Sequence, residues 1–132
     1  MIYSVLFVCV QNSCRSQMAE GLARHYGGGR IEPFSCGSRP SGVVHPQAVE
    51  VLAEIGIDIS AAKSKGCAAL SARTYDFVVG MGCSDVCPVV PGREYLVWNI
   101  PDPQGGSREE FRAARDLILH NVREFFLTVP PA

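Results

Sequence analysis

Near the start of the chain, two residue types stand at a spacing suited to chemistry on an anion. In CVQNSCRS, Cys9 closes an apolar run and Arg15 follows six positions later, with Cys14 between them. A loop that joins a strand to a helix N-terminus points several backbone N–H groups at one spot, and the helix dipole adds positive potential. An arginine at the helix start forks onto two oxygens of a tetrahedral oxyanion, which lysine cannot do. A cysteine at the mouth of such a loop reads as a thiolate nucleophile, and this places Cys9 at the reacting centre. The stretch Val10, Gln11, Asn12, Ser13, Cys14, Arg15 and Ser16 reads as the oxyanion cradle. Asn12 suits a tight loop because its side chain pins neighbouring backbone groups, and Ser16 is placed to donate to the thiolate. A nucleotide-binding loop fits poorly, since no G-x4-G-K-[ST] is present.

Such a loop needs particular elements around it. Ser4 to Cys9 is a continuous apolar run with β-branched members, the pattern of a strand buried on both faces. From about Ser16 to Tyr26, Met18, Ala19, Leu22 and Ala23 recur at helical spacing until Gly27-Gly28-Gly29 stops the helix. A second strand is predicted over Ile31 to Ser35. His45-Pro46 opens another helix, with Val49, Leu52, Ala53 and Ile55 inward, ending at Gly56. Phe77 to Val79 reads as a third strand and Glu94 to Asn99 as a fourth. Ser107 caps a long final helix carrying Phe111, Ala114, Leu117, Ile118, Val122 and Phe125 at helical spacing. Strands alternating with helices imply a parallel sheet covered on both faces, with ligands bound outside the strands' carboxyl ends. Cys9, Cys83 and Asp102 follow the first, third and fourth strands, so all three converge on one edge.

At 132 residues the chain fits one domain spanning 1–132, with 47% hydrophobic and 19% charged residues. A formal net charge of −1 gives no basic face for nucleic acid or an anionic membrane. The opening apolar stretch is short and lacks a basic leader, and no run is long enough to span a bilayer, so a cytoplasmic protein is expected. A reducing compartment disfavours a permanent disulfide framework, so the six cysteines point toward metal binding or redox catalysis. No C-x-x-C pair is present, and His25, His45 and His120 are far apart, so no metal site is expected. Cys36 and Cys67 read as core or surface thiols without a role.

The whole chain resembles the arsenate reductases of the low-molecular-weight tyrosine phosphatase fold. The resemblance is carried by CVQNSCRSQMAEG, FSCGSRP, VHPQAVEVLAEIGIDIS, DFVVGMGCSDVCP and WNIPDP. It implies a single-domain α/β fold of three layers (α/β/α) around a four-stranded parallel sheet. It also implies attack of Cys9 on arsenate, with Asp102 protonating the departing oxygen. Cys83 would then attack Cys9 and release arsenite, and Cys87 would attack Cys83, moving the disulfide outward to a reductant. Thioredoxin fits three relay thiols, with glutaredoxin or a low-molecular-weight thiol as alternatives, and no cofactor is required. The enzyme is expected to be a monomer serving arsenic detoxification.

Three residues separate Cys83 from Cys87, fewer than is usual in thioredoxin-coupled members. Cysteines four apart on a helix have Cβ atoms about 5–6 Å apart, against about 3.5–4.5 Å in a disulfide, so closing this pair needs local unwinding. Cys14 is either structural or a protective partner for Cys9. In some relatives the residues matching Asn12, Glu20, Ser35 and an Asp surround an alkali-metal ion. Lys65 stands at the Asp position here, so its ammonium is expected to replace the cation and pair with Glu20. The alternative reading is a low-molecular-weight phosphatase acting on phosphomonoesters. Those enzymes commonly place an aromatic after Asp-Pro, where this chain has Gln104 and Gly105. A third reading, a thiol chelator of arsenite or a soft metal, would need neither Arg15 nor Asp102.

Overall fold

The computed structural model describes residues 2–70, 73–81 and 90–128. The elements run β1 (Tyr3–Cys9), α1 (Arg15–Tyr26), β2 (Ile31–Gly37), α2 (Pro46–Ala53), a 3₁₀ turn at Ala68–Leu70, β3 (Tyr75–Gly80), β4 (Gly92–Val97) and α3 (Arg108–Thr128). The four strands form one sheet in the order β2-β1-β3-β4, and every pairing is parallel. β1 is central, which accounts for its unbroken apolar run: both of its faces are covered and it pairs on both sides.

Alternation along β1 separates two cores. Val5, Phe7 and Cys9 join Met18, Leu22, Leu52, Phe111, Ile118 and Val122 in the core beneath α1, α2 and α3. Leu6 and Val8 face Cys36, Cys67, Tyr75, Val78 and Val90, with the 3₁₀ turn contributing Leu70 to this second layer. Trp98 packs on Phe7, with ring centroids 5.6 Å apart, so it belongs to the core. Among the described residues no helix is long and apolar enough to cross a membrane.

The ends of elements follow local chemistry. Ser107 opens α3 with a reciprocal box: its Oγ accepts from the Glu110 amide, and Glu110 Oε1 accepts from the Ser107 amide. α2 stops at Ala53, three residues before the glycine expected to end it. The reason is a tightened exit, in which the amides of Ile55 and Gly56 bond to the carbonyls of Leu52 and Ala53.

The cysteine expectation needs correction. Cys36 and Cys67, read as thiols without a role, are joined in a disulfide. Cys36 lies in the buried C-terminal end of β2, and Cys67 enters the second core just before the 3₁₀ turn. Their pairing comes from tertiary approach across 31 residues, which no local pattern encodes.

Candidate active site

The loop between β1 and α1 is held by its carbonyls. The carbonyl oxygens of Cys9, Val10, Gln11 and Ser13 accept from the amides of Ser38, Arg39, Ser41 and His45, and that of Asn12 accepts from Gln17 Nε2. With the C=O ends bonded to the surrounding shell, the peptide units turn their N–H ends toward the concave side. This is the arrangement of an anion nest at a helix N-terminus. α1 begins there without a side-chain cap at Cys14.

Gly37 allows the shell to come this close. A Cβ at that position would lie 2.6 Å from the Val10 carbonyl oxygen and 2.7 Å from the Asn12 nitrogen, both backbone atoms that cannot swing away. Asn12 takes a left-handed backbone, φ 51°, which the loop's sharp turn requires and asparagine tolerates.

A chain of three hydrogen bonds runs from the shell to the reactive sulfur. The Lys65 amide donates to Asn12 Oδ1 at 2.8 Å, and Gln17 Nε2 donates to the same atom at 2.8 Å. A backbone amide can only donate, so the accepting atom is the amide oxygen and the other end of the side chain is its NH₂. That NH₂ donates to Ser16 Oγ at 2.7 Å. Ser16 Oγ lies 2.9 Å from Cys9 Sγ, and once that sulfur is a thiolate the hydroxyl is the donor of the pair. Cys9, Asn12 and Ser16 are all buried.

Arg15 is buried as well. Its Nη1 donates to the carbonyls of Met81 at 2.6 Å and Ile100 at 3.2 Å, and its Nη2 lies 3.6 Å from Asp102 Oδ2. One guanidinium thus ties the ends of β3 and the segment after β4 to the start of α1. Asp102 is half-exposed, and its Oδ1 accepts from the Gln104 amide. Cys9, Gln11, Ser13, Cys14, Arg15, Asp102 and Gln104 line a shallow hollow. Cys14 is buried and free, and burial pushes its thiol up to about 11, so at neutral pH it stays protonated and is a poor nucleophile.

Behind the loop, Ser35 Oγ donates to Glu20 Oε1 at 2.6 Å. Lys65 Nζ stands 3.2 Å from Ser35 Oγ and 3.6 Å from Glu20 Oε1. Cys83 and Cys87 lie outside the described residues. The sequence reading missed the outward-bonded carbonyls, and of the segment from Lys63 to Cys67 it picked out Lys65 but not the Lys63, Ser64 and Lys65 bonds into the loop and α1. The AKSKG stretch, Ala62 to Gly66, carries no periodicity that would have announced them.

With this geometry established, the comparisons are specific. The family model of low molecular weight phosphotyrosine protein phosphatases matches residues 4–130. The chain is 40% identical over 128 residues to the glutaredoxin arsenate reductase of Synechocystis, covering 95% of this chain and 97% of that one. The solved structure of an arsenate reductase in the phosphate binding state superposes with a TM-score of 0.87 at 37% identity, over 98% of this chain and all of that one. The thioredoxin-dependent arsenate reductase of Corynebacterium glutamicum superposes with a TM-score of 0.77 at 37% identity, over 96% of this chain and 61% of that one. The chain therefore belongs to the low molecular weight phosphotyrosine protein phosphatase family. The three relatives compared above are arsenate reductases.

Proposed function

We propose that the chain reduces arsenate to arsenite, with Cys9 as nucleophile. The observation that carries the reading is the placement of the Ser16 hydroxyl 2.9 Å from Cys9 Sγ, where it can donate to the thiolate, at a hollow that Arg15 and Asp102 also line. The loop amides and Arg15 hold the oxyanion. Cys9 sulfur attacks arsenic, and Asp102 gives a proton to the departing oxygen, which leaves as water. Cys83 then attacks Cys9 sulfur, a Cys9–Cys83 disulfide forms, and the electron pair of the broken As–S bond stays on arsenic as arsenite. Cys87 takes over Cys83, and the electron donor, a redox protein of thioredoxin or glutaredoxin type, restores the thiols.

Lys65 is proposed to serve where relatives use an alkali ion. An ammonium already faces Glu20 and Ser35, so these residues do not suit a further cation. Arsenate reduction is expected to be independent of potassium at constant ionic strength. A steep rise in rate with added potassium would sink the assignment.

The test of the whole reading is NADPH consumption coupled through thioredoxin and its reductase, or through glutaredoxin with glutathione and its reductase. It is run with and without arsenate, on wild type and Cys87→Ser. Arsenate-dependent oxidation that collapses in the variant is the expected result, and the faster coupling system names the donor. No turnover with either system, alongside brisk hydrolysis of an aryl phosphate, would move the chain to the phosphatases.

A further inference from the structure

We propose that the Cys36–Cys67 disulfide is a second redox site, distinct from the reaction thiols, that positions the oxyanion loop. Alternation along the sheet puts it on the opposite face from Cys9. Val8, which pairs with Cys36, faces the second core, whereas Cys9 faces the helices. The disulfide therefore acts on the site from behind.

The two half-cystines flank the place where the supporting segment meets the sheet. Gly37, next to Cys36, bridges Gly66, next to Cys67, and the Gly37 amide donates to the Lys65 carbonyl at 3.0 Å. Three bonds run from the same segment into the loop and the start of α1. The Lys65 amide reaches Asn12, Ser64 Oγ donates to the Gln11 carbonyl at 2.9 Å, and Gln17 Nε2 donates to the Lys63 carbonyl at 2.9 Å. The first of these orients Asn12, whose NH₂ bonds the Ser16 hydroxyl that stands beside Cys9. A single bridge is little regular pairing for a segment with this task, and the disulfide supplies the covalent tie.

Reduction is chemically defined. A dithiol attacks the disulfide through a mixed disulfide, contributes two electrons and two protons, and becomes a disulfide itself, leaving Cys36 and Cys67 as thiols. Two thiols in a buried, close-packed site need van der Waals separation where a bond stood, so the segment moves outward and takes the Lys65 amide with it. The oxyanion site loosens. A disulfide oxidant such as oxidised glutathione closes the clamp again.

This inference rests on reading loop 9–16 as the oxyanion site, and inorganic phosphate probes that site without turnover. The experiment uses the full chain carrying Cys83→Ser and Cys87→Ser. It measures phosphate affinity by calorimetry after oxidised glutathione and after dithiothreitol, with the disulfide located by peptide mapping. The rate of Cys9 alkylation is followed against pH in both forms. Oxidised protein should hold the Cys36–Cys67 bond, and reduction should weaken phosphate about tenfold or more and shift the alkylation profile. Adding Cys36→Ala and Cys67→Ala should give the weak affinity in both buffers. Should that variant fail to fold, the two redox forms of the parent still decide. The clamp is overturned if mapping finds both thiols free after oxidation, if affinity is equal in the two forms, or if dithiothreitol shifts the alanine variant as well. Absence of phosphate binding in either form would overturn the loop reading, and the clamp with it.

Discussion

The polar groups behind the oxyanion loop and those along the seam between α2 and α3 follow opposite plans. Behind the loop, Asn12 and Ser16 are buried, and their bonds form a series from the Lys65 amide to Cys9. Along the seam, Arg112 bonds Glu54 and Glu109, Arg115 bonds Glu54, Asp116 and the Val51 carbonyl, and Arg108 bonds Glu50. Most of those charges are partly exposed and share partners. A series fails at any link, because each buried group left alone loses its partner without gaining water. A shared, wet set of ion pairs tolerates the loss of a member. The molecule therefore concentrates its sensitivity at the site and spreads it between the helices.

The largest effect should come from Arg15→Lys. Lysine keeps the charge but cannot bond the Met81 and Ile100 carbonyls while forking onto an oxyanion, so kcat/KM for arsenate should fall about 10²–10³-fold. Steady-state kinetics decide it, and a loss of a few-fold would show that the site does not depend on the fork.

A smaller loss is expected for Gly37→Ala. The added carbon meets backbone on the Val10–Asn12 side, so the loop must shift at a cost of about 1–3 kcal/mol. Urea unfolding and phosphate titration together should register both destabilisation and weaker binding. Unchanged phosphate affinity would mean the loop tolerates a displaced shell.

Glu54→Gln should do least, and only at the right pH. The Arg112 guanidinium, seconded by Arg115, holds the Glu54 carboxyl down to about 2 from its ordinary 4.5. A lowered folded-state value stabilises the folded form fully above about 4.5, and that contribution disappears as pH falls toward 2. The thermal midpoint of wild type should exceed that of the variant near neutrality, and the difference should shrink through this acid window. Equal midpoints at pH 7 would remove Glu54 from the seam's stabilising set.

How far these regions were legible from residues alone differs in the same way. β1, α1 and the capped start of α3 are written in local patterns: an apolar run, helical spacing, and the Ser107–Glu110 box. Parallel-sheet topology put Cys9, Cys83 and Asp102 at one edge; Cys9 and Asp102 line the same hollow, and Cys83 lies outside the described residues. The Cys36–Cys67 bond and the outward bonding of the loop carbonyls join residues distant in sequence through backbone atoms or ordinary side chains. Such partnerships leave no periodicity to read. Lys65 lay between the two cases, suggested by family resemblance and found beside Glu20.

A cradle made of backbone amides measures the outline and charge of its guest and nothing else. Phosphate and arsenate are alike in both, so the loop should admit them equally, and the abundant one should occupy it most of the time. Preference for arsenate then arises after docking, since only an arsenic centre accepts the electron pair of a broken bond to sulfur. Phosphate becomes a standing competitor that sets the arsenate concentration at which the enzyme begins to turn over.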